Sequence, residues 1–124
     1  MEDKPKIRSF TDLIAWQEAH RLVILVYKAT KNFPREELFI LTAQIRRAAI
    51  SISSNIAEGF SRNSAKDKCQ FYAIALGSLT ELQNQLLVAR DLKYLTESDF
   101  QNIAQQTVRV SKLISGLKKI RNSS

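Results

Sequence analysis

The sequence predicts an all-α protein, an antiparallel up-down-up-down four-helix bundle, and three observations carry that expectation. Apolar residues recur at three- and four-residue spacing through four separate segments, the period of one helix face. The breaks between segments are short, which leaves no room for long crossover connections. The 124 residues include only 3 glycines and 2 prolines. Without strand-like alternation, that is too little turn material for a many-stranded sheet.

Residues 1–9 are charged and polar and read as a flexible N-terminal arm, ahead of a bundle over 10–120 and a C-terminal tail over 121–124. Thr11 and Asp12 form an N-cap pair for a first helix running to about Lys31. Its apolar stripe is Ala15, Ala19, Leu22, Val26, Ala29 and Phe33, and Pro34 ends it by disfavouring helical geometry at the preceding residue. A second helix opens there, with Glu36 and Glu37 near its positive end. It carries Leu38, Leu41, Ile45, Ala48, Ile52 and Ile56 on one stripe, and Gly59 is expected to stop it in a left-handed cap.

Ser64 and Asp67 resemble a capping box for the third helix, which is expected to run to about Lys93. Phe71, Ala75, Leu79, Leu82, Leu86 and Ala89 form its stripe. Thr96 or Ser98 caps the fourth, with Phe100, Ile103, Thr107, Val110, Ile114 and Leu117 in register to about Ile120.

Several function classes fall away. The longest uncharged run, Cys69 to Thr80, is well short of the roughly 20 residues needed to cross a bilayer. The N-terminus has no apolar signal region, so a cytoplasmic protein with no membrane association is expected. One cysteine cannot make an internal disulfide, and one histidine, His20, cannot complete a metal site with it. Cys69 reads as an ordinary helix cysteine and His20 as a surface or boundary residue. No triad, phosphate loop or acid/base pair is present, so no catalytic residue, metal or cofactor is expected and the protein reads as non-enzymatic.

Some features exceed what a lone bundle requires. Leu22 to Tyr27, Leu38 to Leu41 and Phe71 to Leu76 are apolar around most of the helix, and such a helix must be covered all round. They point to self-association through helices one to three. Helices two and three also carry polar second faces. Arg47, Ser51, Ser54, Asn55 and Glu58, flanked by Arg46 and Ile50, lie on one, and Gly77, Ser78, Glu81 and Gln85 on the other. An antiparallel pairing brings Arg46 or Arg47 level with Glu81. A buried, register-setting network and a solvated polar face are both open at this level.

Charge is uneven. The net value is +7, and residues 96–124 hold five basic groups against two acidic ones, an excess of three. Arg109, Lys112, Lys118, Lys119 and Arg121 follow one another without an intervening acid. Such a row can neutralise phosphates, and it lacks the interleaved aromatics that stack single-stranded bases. Helix-end stabilisation and simple solvation compete with that reading.

The residues Phe10-Thr11-Asp12-Leu13, Trp16-Gln17, Phe33-Pro34 and Gln44-Ile45-Arg46-Arg47-Ala48-Ala49 form a distinctive series. It continues through Asn55-Ile56-Ala57-Glu58-Gly59 and Ala75-Leu76-Gly77-Ser78-Leu79. Together they resemble the bacterial four-helix bundle family of 23S rRNA intervening-sequence proteins, over roughly residues 10–95. Lys93 departs from that pattern, which leads one to expect glycine at the end of helix three. The resemblance implies a homo-oligomeric ring, a pentamer, with a link to ribosomal RNA. It also implies similarity to the accessory variability determinant of diversity-generating retroelements, a basic barrel that binds nucleic acid and a reverse transcriptase. Two roles follow as expectations: a ring contacting RNA or DNA, or an oligomeric scaffold for another protein.

Overall fold

A computed structural model describes residues 6–123, with side chains to residue 119. Most of the expected N-terminal arm, the Arg121 side chain and the last residue of the tail lie outside the described residues. The helices are α1 (Ile14–Thr30), α2 (Leu41–Phe60), α3 (Ala65–Asp91) and α4 (Glu97–Ser123). No strand occurs among the described residues.

Each helix packs on its chain neighbours, and α4 closes the circuit onto α1. Pairs along the seams run in opposite senses. On α2–α3, Gly59 meets Tyr72 and Ser51 meets Ser78. On α3–α4, Cys69 reaches Lys118, Gln83 reaches Thr107 and Arg90 covers Phe100. On α4–α1, Gln106 binds Glu18, while Asp99 and Asn102 border a cleft with Leu25 and Lys28. Leu22, Val26, Ile45, Ile52, Ile56, Leu82, Val110 and Ile114 are fully buried between the four helices. Removing a large aliphatic side chain from such a site costs about 2–5 kcal/mol.

The boundaries differ from the sequence expectation at both ends of α2 and at the start of α1. Phe10–Asp12 form a 3-10 turn capped by Ser9, whose Oγ accepts from the Thr11 N–H at 3.2 Å. The Asp12 carboxylate turns back to accept from the Arg8 and Ser9 N–H groups. It therefore caps that turn and not α1, which begins at Ile14 without a side-chain cap. Residues Arg35–Glu37 make a second 3-10 turn, and Ile40, at φ −118° and ψ −97°, interrupts the helical path before Leu41. Leu38 consequently leaves the α2 stripe and is exposed.

Gly59 is not a left-handed cap. It lies inside α2, and no described glycine has positive φ. Its role is volume: a Cβ there would sit 2.7 Å from Tyr72 Cε1 and 3.1 Å from Phe71 Cβ. The missing side chain lets α3 approach, with Tyr72 buried against it. The C-terminal carbonyls of α2 accept from the Ser61 and Arg62 N–H groups and, from α3, from Lys68. Lys68 Nζ donates to the Phe60 oxygen at 2.6 Å and the Gly59 oxygen at 3.4 Å, placing a cation at the negative helix end.

The end of α3 bears out the sequence-level departure at Lys93. Lys93 has φ 65°, the left-handed region that glycine adopts without strain. The Tyr94 N–H donates to the Ala89 oxygen and the Lys93 N–H to the Arg90 oxygen, both at 2.9 Å, the paired bonds of a Schellman cap. Thr96 Oγ1 then caps α4 by accepting from the Asp99 N–H at 3.0 Å. The two turns at this end of the bundle are tied together by Tyr94. Its hydroxyl donates to Glu37 Oε2 at 3.0 Å. That bond, partial burial and the neighbouring carboxylates raise the tyrosine pKa above its ordinary value. Lys93→Gly is expected to stabilise the fold by about 0.5–1 kcal/mol, since it removes left-handed strain at some cost in unfolded-chain entropy. An unchanged or lowered denaturant midpoint at fixed protein concentration would contradict this account of the turn.

Candidate functional site

The polar residues of α2 and α3 divide into an inner and an outer set. Ser51 and Ser78 share a 2.8 Å hydrogen bond across the seam. Asn55 Nδ2 donates to the Ser51 oxygen at 2.8 Å and to Ser51 Oγ at 3.1 Å. This is a half-buried, register-setting contact between two helices, with no group able to exchange a proton near neutrality. Arg47, Glu58 and Glu81 are exposed.

No ion pair joins Arg46 or Arg47 to Glu81 among the described residues. Glu81 instead accepts from Gln85 Nε2 one turn along α3, at 3.1 Å. Arg46 turns the other way, toward α1. Its Nε donates to Thr30 Oγ1 at 2.9 Å, and its guanidinium lies 4.6 Å from the Tyr27 ring centroid. Thr30 is buried and passes its own proton to the Val26 oxygen at 2.8 Å. Arg46 therefore locks α2 to α1, and its guanidinium is attracted electrostatically to the face of the Tyr27 ring. Sequence spacing aligned Arg46 with the polar face of α2, but its long side chain reaches across the neighbouring helix.

The basic row of α4 is also divided. Arg109 Nε lies 2.9 Å from Glu18 Oε1 on α1. The same carboxylate oxygen accepts from Gln106 Nε2 at 3.1 Å, and Arg21 sits 3.8 Å away. An acid from another helix thus answers the first cation of a row that is acid-free in sequence. Lys112 and Lys119 are exposed and stand seven residues apart, on one face. Lys118 is half-buried. Asn102, Gln105, Gln106, Arg109 and Lys112 line an open groove of about 450 Å³ on α4. It can offer amide and cationic donors to phosphate oxygens, and no aromatic ring lines it.

The most conspicuous surface is apolar. Phe39 is 89% exposed, with Leu38 and Ile40 also exposed beside it. Leu38 and Phe39 border a groove of about 470 Å³ that includes Tyr27, Ala43 and Ile50 together with Arg46 and Arg47. A second apolar groove, about 290 Å³, lies between α3 and α4 over Leu86, Leu87, Phe100, Ala104 and Val108. Of the segments read as apolar all round, Ile24 and Ile74 face outward, while Val23, Leu25 and Phe71 are half-buried. His20 is exposed and stacks on Trp16 at 4.8 Å, the surface position expected of it. No group of three or more metal-ligating side chains occurs among the described residues, and no helix there is long and apolar enough to cross a membrane.

These contacts separate structural from surface polar groups. Thr30→Val should lower stability by about 1–3 kcal/mol, because a charged donor loses its acceptor. Glu58→Ala should stay within about 0.5 kcal/mol. Denaturant midpoints at one protein concentration decide this, and equal losses in the two variants would contradict the division.

Comparison with known proteins agrees with the architecture. The model of the family described as 23S rRNA-intervening sequence protein matches residues 11–116. The fold is similar to a crystal structure from Bacteroides thetaiotaomicron, described as a protein with unknown function from the S23 ribosomal protein family. The TM-score is 0.79 at 22% identity, covering 86% of this chain and 96% of that one. The comparison with curated proteins gave no match. A family match over most of the chain, on a four-helix scaffold of the same shape, makes this protein a member of the 23S rRNA-intervening sequence protein family.

Proposed function

We propose that this chain is a non-enzymatic, cytoplasmic bundle that self-associates as a pentameric ring and contacts RNA or DNA through the basic surface of α4. The observation that carries the reading is the uncovered apolar surface around Phe39, 89% exposed in the single chain. Monomeric soluble proteins rarely leave such a patch contiguous and open. Association also changes the electrostatics. Five copies of a chain with net charge +7 carry +35, enough to concentrate polyanions around the particle.

Within each copy, Lys112 and Lys119 are the exposed cations on one face of α4, with Lys118 partly covered beside them. Arg109 contributes less, because Glu18 already neutralises it. A surface with these cations and no stacking aromatic suits contact with the phosphate backbone better than readout of base identity. The family's description ties it to 23S rRNA intervening sequences, which favours RNA as the polyanion.

Static light scattering tests the assembly. A pentamer of 14.1 kDa chains has a mass of about 70 kDa, and a mass near 14 kDa would refute the ring. Binding of mixed-sequence RNA tests the contact. With about five phosphate contacts per ring, affinity for single-stranded RNA should fall roughly 130-fold between 50 and 200 mM salt. The combined change Lys112→Glu, Lys118→Glu and Lys119→Glu should flatten that dependence. Binding indifferent to both salt and charge reversal would favour the protein scaffold instead.

A further inference from the structure

Two apolar surfaces remain uncovered on the single chain, and they differ in shape. Phe39 projects from the turn between α1 and α2, whereas Leu86, Leu87, Phe100, Ala104 and Val108 line a concave groove between α3 and α4. Because the helices pack in the cyclic order α1-α2-α3-α4, the α1–α2 face and the α3–α4 face lie on opposite sides of the bundle. They overlap in height along it, with the Phe39 turn toward the Phe100 end of the groove. The Ser51–Ser78 contact sets Ala43 level with Leu86, and the Gln83–Thr107 contact sets Leu86 level with Ala104.

We infer that these two faces bind each other in successive copies, with the Phe39 ring of one chain seated in the α3–α4 groove of the next. The inference rests on the self-association proposed above and names the surfaces that make it. The sizes agree: a benzene ring fits an apolar cavity of about 150 Å³, and the groove offers about 290 Å³. Charges at the rims agree as well. Exposed Arg47, Lys31 and Arg35 flank the Phe39 side, outnumbering Glu36 there. Exposed Glu97 stands one turn before Phe100 on the groove side, while Asp91 is paired with Arg90, which lies over the Phe100 ring.

A contact between unlike faces is heterologous, so it continues from copy to copy instead of stopping at a two-fold dimer. The α4 groove holding Lys112 lies mainly beside this contact, not within it.

Complementation tests the pairing. Phe39→Glu alters an almost fully exposed ring, and Val108→Glu alters the rim of the groove, so neither change enters the core. Helical circular dichroism verifies the fold of each. Each variant alone should run as a monomer near 14 kDa. Their equimolar mixture should form a two-chain particle of about 28 kDa, since one keeps an intact groove and the other an intact Phe39. An oligomeric wild type with either variant unchanged in mass, or with a mixture that stays monomeric, overturns the pairing while leaving self-association standing. A monomeric wild type overturns both.

Discussion

A helix in a small bundle can turn only part of its circumference toward the core, and that constraint governs how this chain distributes its side chains. Ala15, Ala19, Leu22 and Val26 on α1 use the inward arc, as do Ile45, Ile52 and Ile56 on α2. Apolar residues beyond that arc are only partly covered within the same chain. Ile24, Ile50, Leu87 and Val108 are the result, all large aliphatics left open on helix flanks. Burial of such surface is worth roughly 25 cal/mol per Å². The same term that closes the core therefore favours covering these flanks by association.

The helix seams are closed by different means. Between α2 and α3, Gly59 permits contact with Tyr72, and the Ser51–Ser78 bond lies farther along. Between α1 and α2, Arg46 combines a hydrogen bond to buried Thr30 with the face of Tyr27. Lys68 seals the last carbonyls of α2 from the neighbouring helix. Polar chemistry here positions helices.

Much of this was legible from spacing. The stripes on α3 and α4 are buried except at half-buried Phe71 and Leu117, with Tyr72 taking the buried place beside Phe71, and Thr96 and Ser64 cap the helices that follow them. Connections were harder to read, because a 3-10 turn and an α-helix share similar residue preferences over three or four positions. Glu36 and Glu37 suit a helix start equally well in either geometry, so the entry to α2 moved from Pro34 to Leu41. Gly59 was misread for a related reason: glycine signals both positive φ and close approach, and only the position of Tyr72 distinguishes them. The candidate surface was legible as composition but not as pairing. No local pattern shows that Glu18 meets Arg109, since they are brought together only when the first and last helices close the bundle.

That closure has a consequence for motion. The α4–α1 seam is the one circuit contact with no connecting turn, and Glu18 is a central element, accepting from Gln106 through both backbone and side-chain oxygens. Polar contacts at a helix seam hold helices together less firmly than buried aliphatic surface does. Excursions that part α1 from α4 can therefore proceed without disturbing the Gly59–Tyr72 packing on the far side. Such partial opening would make the two outer helices exchange their amide hydrogens ahead of the α2–α3 pair, leaving a persistent helical hairpin as the slowest part of the molecule.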